Sequence, residues 1–249
     1  MVQRFAVPLL RSGETLERRI NNMVRNADRD WYAKDDFYRL SILYAFGEHL
    51  AWIRVVERRF GFVPVEAMPR GKFFTRRLNG IFRALTSHAY FRAEDSENVI
   101  ASAIPRLMLA AIGEAMAAED GEKVLEFTEF ATRYVNDAQF CRWFAGLDDF
   151  LRRAKPGASL SWDRLIIAGA ELRALLGFLD PKARMVRRLP LANLDLLRTP
   201  GVAPQVISEL APWAKPPEDR PRIADEVPGA SGVRPAWPSG LPDVPKDGG

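Results

Sequence analysis

A single cysteine, Cys141, stands in a chain of 249 residues. It excludes an intramolecular disulfide framework and suits a reducing compartment, so the sequence reads as cytoplasmic. Histidine is nearly as scarce, with only His49 and His88. A structural zinc site needs clustered Cys and His, and here it lacks its ligands. A di-iron bundle needs Glu-x-x-His pairs on facing helices. Phe46 and Leu85 occupy the positions where those glutamates would stand. No metal site and no cofactor are expected.

Other signatures are missing as well. No glycine-rich loop ends in a Lys-Ser/Thr pair, so a P-loop is excluded. No strand leads into a G-x-G-x-x-G turn, and no G-x-S-x-G elbow exists. No stretch alternates convincingly between apolar and polar residues, so almost no β-structure is expected. There is no repeat of fixed period. The start, MVQRFAVPLLRSGE, has an apolar run too short for a signal peptide. Cys141 keeps helical spacing with Tyr134 and Phe144, which suits a packed core thiol better than a nucleophile paired with a distant His.

What is present is helical. Hydrophobic residues make up 47% and charged residues 27% of the chain, the balance of a folded domain. The stretch DDFYRLSILYAFGEHLAWIRVVERRFGF, Asp35–Phe62, is apolar on nearly every side of a helical wheel. Such a helix is either a buried core helix or a membrane span. Glu48, His49 and Arg54 interrupt its middle, where charge in lipid is costly. It therefore reads as the central helix of a bundle, with Gly61 as its stop. No segment reads as transmembrane.

The other helices are placed around it. A first helix opens at Ser12 or Gly13 after an extended start, and breaks at Asn26-Ala-Asp28. A third follows Pro69-Arg-Gly71 and runs through Phe74, Leu78, Ile81, Phe82 and Leu85 to Ala89. Asp95 and its neighbours cap a fourth, which Pro105 kinks or restarts and Gly121 ends. Residues 122–154 form a fifth segment, as one helix or as two joined near Asn136-Asp137. Ser161 caps a sixth, SWDRLIIAGAELRALLGFLDP, in which Ala168, Gly169 and Ala170 invite close approach by a neighbour. The prediction is an all-α bundle of about six helices over residues 12–180. A loosely ordered extension follows over 181–213, with short helical pieces near 191–198 and 204–210. Residues 214–249 are proline-rich and read as a disordered, partly polyproline-II tail, with Trp213 and Trp237 as its only anchors.

Two features bear on function. Glu48 and His49 are adjacent titratable groups on a helix expected to be buried, which is one signature of a site. A satisfied core pair is the simpler reading. The second feature is charge. Residues 54–92 carry nine Arg and Lys against Glu57 and Glu66, a net +7; residues 94–137 carry ten acids against three bases, a net −7. Either these blocks face each other as complementary helices, or Arg58, Arg59, Arg70, Lys72, Arg76, Arg77 and Arg83 form an exposed anion-binding patch. Such a patch would take nucleic acid, an anionic surface or an acidic protein. No helix-turn-helix or RNA-binding signature accompanies it.

The pairing of FYRLSILYAFGEHLAWIRVVERRFGF with WDRLIIAGAELRALLGFLDP is similar to a loose group of uncharacterised bacterial helical proteins, over Asp35 to Pro181. The resemblance implies an all-helical fold and carries no activity or site residue. The functional expectation is a non-enzymatic interaction or regulatory module with a protein partner. Nucleic-acid binding through the arginine-rich patch is the alternative, and an enzyme using Glu48 and His49 stands third.

Overall fold

The computed structural model describes residues 2–60, 71–92, 94–118, 123–157, 160–186 and 191–214. The elements are α1 (Val2–Arg25), α2 (Trp31–Lys34), α3 (Asp36–Phe60), α4 (Gly71–Leu78), α5 (Gly80–Thr86), α6 (Ser96–Ala101), α7 (Arg106–Met116), α8 (Phe127–Asn136), α9 (Ala138–Arg153), α10 (Leu160–Leu179) and α11 (Val202–Ala214). Among the described residues the β-structure amounts to one bridge, Ala117 to Val124. The all-α expectation is met. The stops at Gly61 and Gly121 and the proline-rich tail lie outside the described residues.

Two helices form the interior, where the sequence suggests one. Helix α3 is central as expected and packs on α1 and α7. Helix α10 is buried more completely: every residue from Ser161 to Gly177 is enclosed, charged ones included. It packs on α1, α5 and α11. Gly169 admits α1 closely, because a Cβ there would lie 3.3 Å from Ile20 Cγ2. The small-residue stretch 168–170 does what its composition suggests.

Several boundaries differ from the expectation. Helix α1 begins at Val2 and runs through Pro8 and Ser12. The lost hydrogen bond at Pro8 is outweighed by burial of Phe5, Leu9, Leu16 and Ile20 on one face. Ser12 is therefore interior and caps nothing. The expected third helix is two, divided at Asn79-Gly80. Pro105 does restart the fourth, and Asp137 divides the fifth by capping α9 through the Gln139 and Phe140 amides. Helix α11 packs its Val202, Val206 and Leu210 into the core.

Among the described residues, the stretch Ser96–Met116 is long and apolar enough to count as a candidate span, with mean hydropathy 1.5 and 39% of that window buried. Residues 102–105 split it into helices of six and eleven residues. The longer one spans ~16 Å at 1.5 Å per residue, about half a bilayer core.

Helices α3 and α7 cross closely at Gly113, where a Cβ would stand 2.8 Å from the Leu50 carbonyl oxygen. Backbone cannot yield as a side chain can. Gly113→Ala is expected to destabilise the fold by about 1–3 kcal/mol despite its better helix propensity. Gly146→Ala meets only the flexible end of Met108 and is expected to cost less. Urea midpoints of the two variants test this; an unchanged midpoint for Gly113→Ala refutes it.

Candidate functional site

A charged residue on an enclosed helix needs a partner from another element, since an unpaired buried charge is expensive. Helix α10 shows this at Asp163, Arg164, Glu171 and Arg173, and Asp180 just past its end follows the same rule. Asp163 accepts the Arg198 and Thr199 amides at 2.9 and 2.7 Å. Arg173 pairs with Glu17 of α1, both buried. Asp180 accepts the amides of Arg184, Met185 and Val186 at 2.8–2.9 Å.

Arg164 is fully enclosed and faces carbonyls instead of a carboxylate. Its Nη1 donates to Ala84 and Ser87 at 2.9 Å, its Nη2 to Val99 at 3.0 Å and its Nε to Ser102 Oγ at 3.0 Å. These acceptors sit at the C-terminal ends of α5 and α6. The partial negative charge of two helix ends thus serves as the counter-charge. Phe91 lies under the guanidinium at 4.7 Å. Burial still lowers the group, to about 10, which leaves it cationic at neutral pH.

The densest cluster surrounds Glu171, which is fully enclosed. Arg77 Nη1 reaches its Oε2 at 3.2 Å, and Arg83 reaches its Oε1 through Nε at 2.9 Å and Nη2 at 2.7 Å. Tyr90 donates to Oε1 at 2.8 Å and itself accepts from Arg83. Arg83 also reaches Glu209 of α11 at 2.7 Å, and Arg76 reaches the same carboxylate oxygen at 3.1 Å. Gly80 makes room, because a Cβ there would stand 2.5 Å from Glu171 Oε2. Burial pulls the Arg77 guanidinium down despite Glu171. Burial acts on Arg83 too, but Glu171 and Tyr90 outweigh it and hold the group above its usual range.

This cluster corrects the reading of an open arginine patch. Arg77 is 3% exposed and serves Glu171. Arg83 is shared between Glu171 and Glu209, and Arg76 is paired with Glu209. Complementary acids are present, but these come from α10 and α11 rather than from residues 94–137. Among the described residues, Arg54 and Arg58 reach that acidic block, through Glu114. Arg59 lies 6.0 Å from the Phe5 ring. Lys72 is exposed. Arg70 is outside the described residues.

Glu48 and His49 lie in different surroundings. His49 is fully buried, with Nδ1 3.1 Å from Ser12 Oγ, whose hydroxyl donates to Leu9 O. That arrangement assigns the proton to Nδ1 and leaves Nε2 as a buried acceptor without a partner. Gly13 sits against the ring, where a Cβ would be 3.3 Å from Cε1. Glu48 is half-buried, and burial together with Glu126 raises its carboxyl. Cys141 is half-buried. Among the described residues no group of three His, Cys, Asp or Glu side chains could hold a metal ion.

Exposed apolar side chains are the feature that sequence reasoning passed over. Ile100, Leu107 and Trp143 are 62%, 84% and 44% exposed. Met108 of α7 fills the space above Gly146 of α9. Trp143 lies one turn before Gly146 on α9, and Leu107 precedes Met108 on α7. The high hydropathy of 96–116 was the available signal.

No protein-family model matches the chain, and no curated protein or solved structure matches it either.

Two outcomes follow from the buried groups. Glu171→Ala leaves buried Arg77 without its carboxylate and Arg83 with Glu209 alone, and a loss of about 3–5 kcal/mol is expected in urea denaturation; a loss below about 1 kcal/mol would make the cluster ornamental. Burial pushes His49 down to about 3. The unfolded imidazole titrates near ~6.5 and binds a proton that the folded one refuses. The stability of neutral His49 is therefore complete above that pH and is lost on acidification toward 3, by about 1.4 kcal/mol per pH unit. The difference between wild type and His49→Gln should show this slope, and parallel pH profiles would refute it.

Proposed function

We propose that this chain is a non-enzymatic helical interaction module of the cytoplasm, which docks a protein partner on the face formed by α6, α7 and α9. One observation carries the reading: the apolar window 96–116 leaves Ile100 and Leu107 in solvent, and Trp143 of α9, a helix packed on α7, is exposed as well. Single exposed apolar residues are ordinary, but a group of them in contiguous elements marks an interaction surface. Tryptophan is also among the residues that dominate binding energy at interfaces. The arginines support the same choice. Most of the described ones that would have made an anion-binding patch are engaged with Glu171, Glu209 or Glu114, which takes away much of the case for nucleic acid. A partner helix with an apolar face has the shape and chemistry for this surface.

The test is quantitative affinity co-purification with wild type, a Leu107→Asp/Trp143→Asp double variant, and Lys72→Glu. Both sites are exposed, so the variants should keep their fold. The expected result is a partner retained by wild type and by Lys72→Glu and depleted at least about tenfold in the double variant, equivalent to ~1.4 kcal/mol. Equal recovery with the double variant removes the docking face. Salt-sensitive binding of labelled DNA or RNA that Lys72→Glu abolishes would put nucleic acid in its place.

A further inference from the structure

We propose that the cavity between the α1–α2 corner and the end of α9 is a binding site for a small aromatic carboxylate, one six-membered ring carrying one carboxyl group. The cavity measures about 140 Å³. An apolar cavity of ~150 Å³ holds one benzene molecule, so the volume selects a single ring. Close-packed interiors leave few spaces of this size.

The walls fit a ring. Met23 and Leu151 are buried and close the floor. Tyr32 is buried with its hydroxyl tied to Asp148 at 2.8 Å, so its ring edge is fixed. Trp31 and Tyr38 meet edge to face at 5.7 Å and form the opposite wall. Aromatic walls held this way offer an incoming ring further edge-to-face contacts. The corner is set by Asp30, whose left-handed backbone, φ 51°, turns the chain between Asn26 and Trp31.

The rim selects the charge. Three charged side chains line it: Asp30, Arg152 and Lys155. Lys155 lies 3.3 Å from Asp30, and Arg152 lies 3.2 Å from Asp148. Lys155 and Arg152 are 54% and 40% exposed, so each can turn to a carboxylate at the mouth without leaving a buried acid unpaired. Of the two acids paired with these cations only Asp30 lines the cavity, while Asp148 is also held by the Tyr32 hydroxyl, so an ammonium ligand of the same size would meet both cations and one acid. Sequence reading could not find this site, because its walls come from residues 23–38 and 151–155. It is separate from the α6–α7–α9 face and stands whether or not that face binds a partner.

The experiment is calorimetric titration of the full chain with benzoate, with benzylamine and acetate as controls. Saturable binding at one site per chain is expected, with Kd at or below about 1 mM. Benzylamine and acetate should bind at least about tenfold more weakly. Ala27→Phe fills the cavity from a half-buried position and should abolish binding. Lys155→Met, at an exposed position, should weaken it about fivefold to tenfold. Absence of saturable benzoate binding overturns the site, and equal binding of benzylamine overturns the ligand class. If Ala27→Phe does not fold, Lys155→Met decides, and an unchanged Kd overturns the proposal.

Discussion

A helix enclosed on every side can carry charge only where other elements bring the counter-charge, and α10 imposes this condition on the whole fold. Its four charged residues, and Asp180 just past its end, each address a different piece of chain. Asp163 holds the segment at 198–199, Arg164 the ends of α5 and α6, Glu171 the arginines of α4 and α5, Arg173 the start of the chain, and Asp180 the loop after the helix. The apolar residues between them supply the driving force, which is non-directional. The charged ones supply direction. A slip of one residue in α10 would turn every one of these groups into an unpaired buried charge at once. Buried ion pairs contribute little net stability against an apolar replacement, but breaking one is costly. Here their effect is on which arrangement forms.

Arg164 shows how the same condition is met without an acid. Helices that end inside a protein leave carbonyls without partners. Helices α5 and α6 are only seven and six residues long, so a large share of each is terminus. One guanidinium in the next layer satisfies both ends, and its own charge is met by theirs. Short helices and a buried arginine would each be a liability alone; together they cancel. Met or Leu at 164 would fit the apolar surroundings but would leave the Ala84, Ser87 and Val99 carbonyls without this donor.

Much of the fold was legible in the sequence for reasons that also mark its limits. The all-round apolar pattern of α3 declared a core helix, Pro105 marked a kink or a restart, and Asn136-Asp137 marked one place where the fifth segment could divide. Helix α10 shows the limit: Asp163, Arg164, Glu171 and Arg173 look like a solvent face in any periodic count, yet all four are enclosed. Their partners lie up to 156 positions away, and periodicity carries no information over that distance. The run Arg76-Arg77 looked like a patch for the same reason: sequence gives the charge but not whether an acid lies across it. Ser12 looked like a helix start, since Ser at a cap and Ser bonded to a buried imidazole are the same letter. Glu48 and His49 were adjacent in sequence, yet one is half-buried near Glu126 and the other faces α1. In a helix, neighbours along the chain point about 100° apart.

The distribution of side chains is partly inverted, and that has a consequence for where function can reside. Charges that would normally hydrate the surface are used inside, on Glu171, Arg77, Arg164 and Arg173. Apolar side chains that would normally be inside, Leu107 above all, stand in solvent. The outward half follows from α6 and α7. Residues 102–105 turn the chain so that Val99, Ile104, Leu109 and Ile112 reach the core. A helix so apolar has more such residues than one core-facing stripe can bury, and the remainder must face outward. Arg164 fixes the turn by holding Val99 O and Ser102 Oγ, so the outward residues are presented at a set angle and not on a mobile loop. A rigidly presented apolar group loses less freedom on binding than a flexible one. The interior charges thus reach the surface indirectly, by determining which apolar side chains it displays and how firmly it holds them.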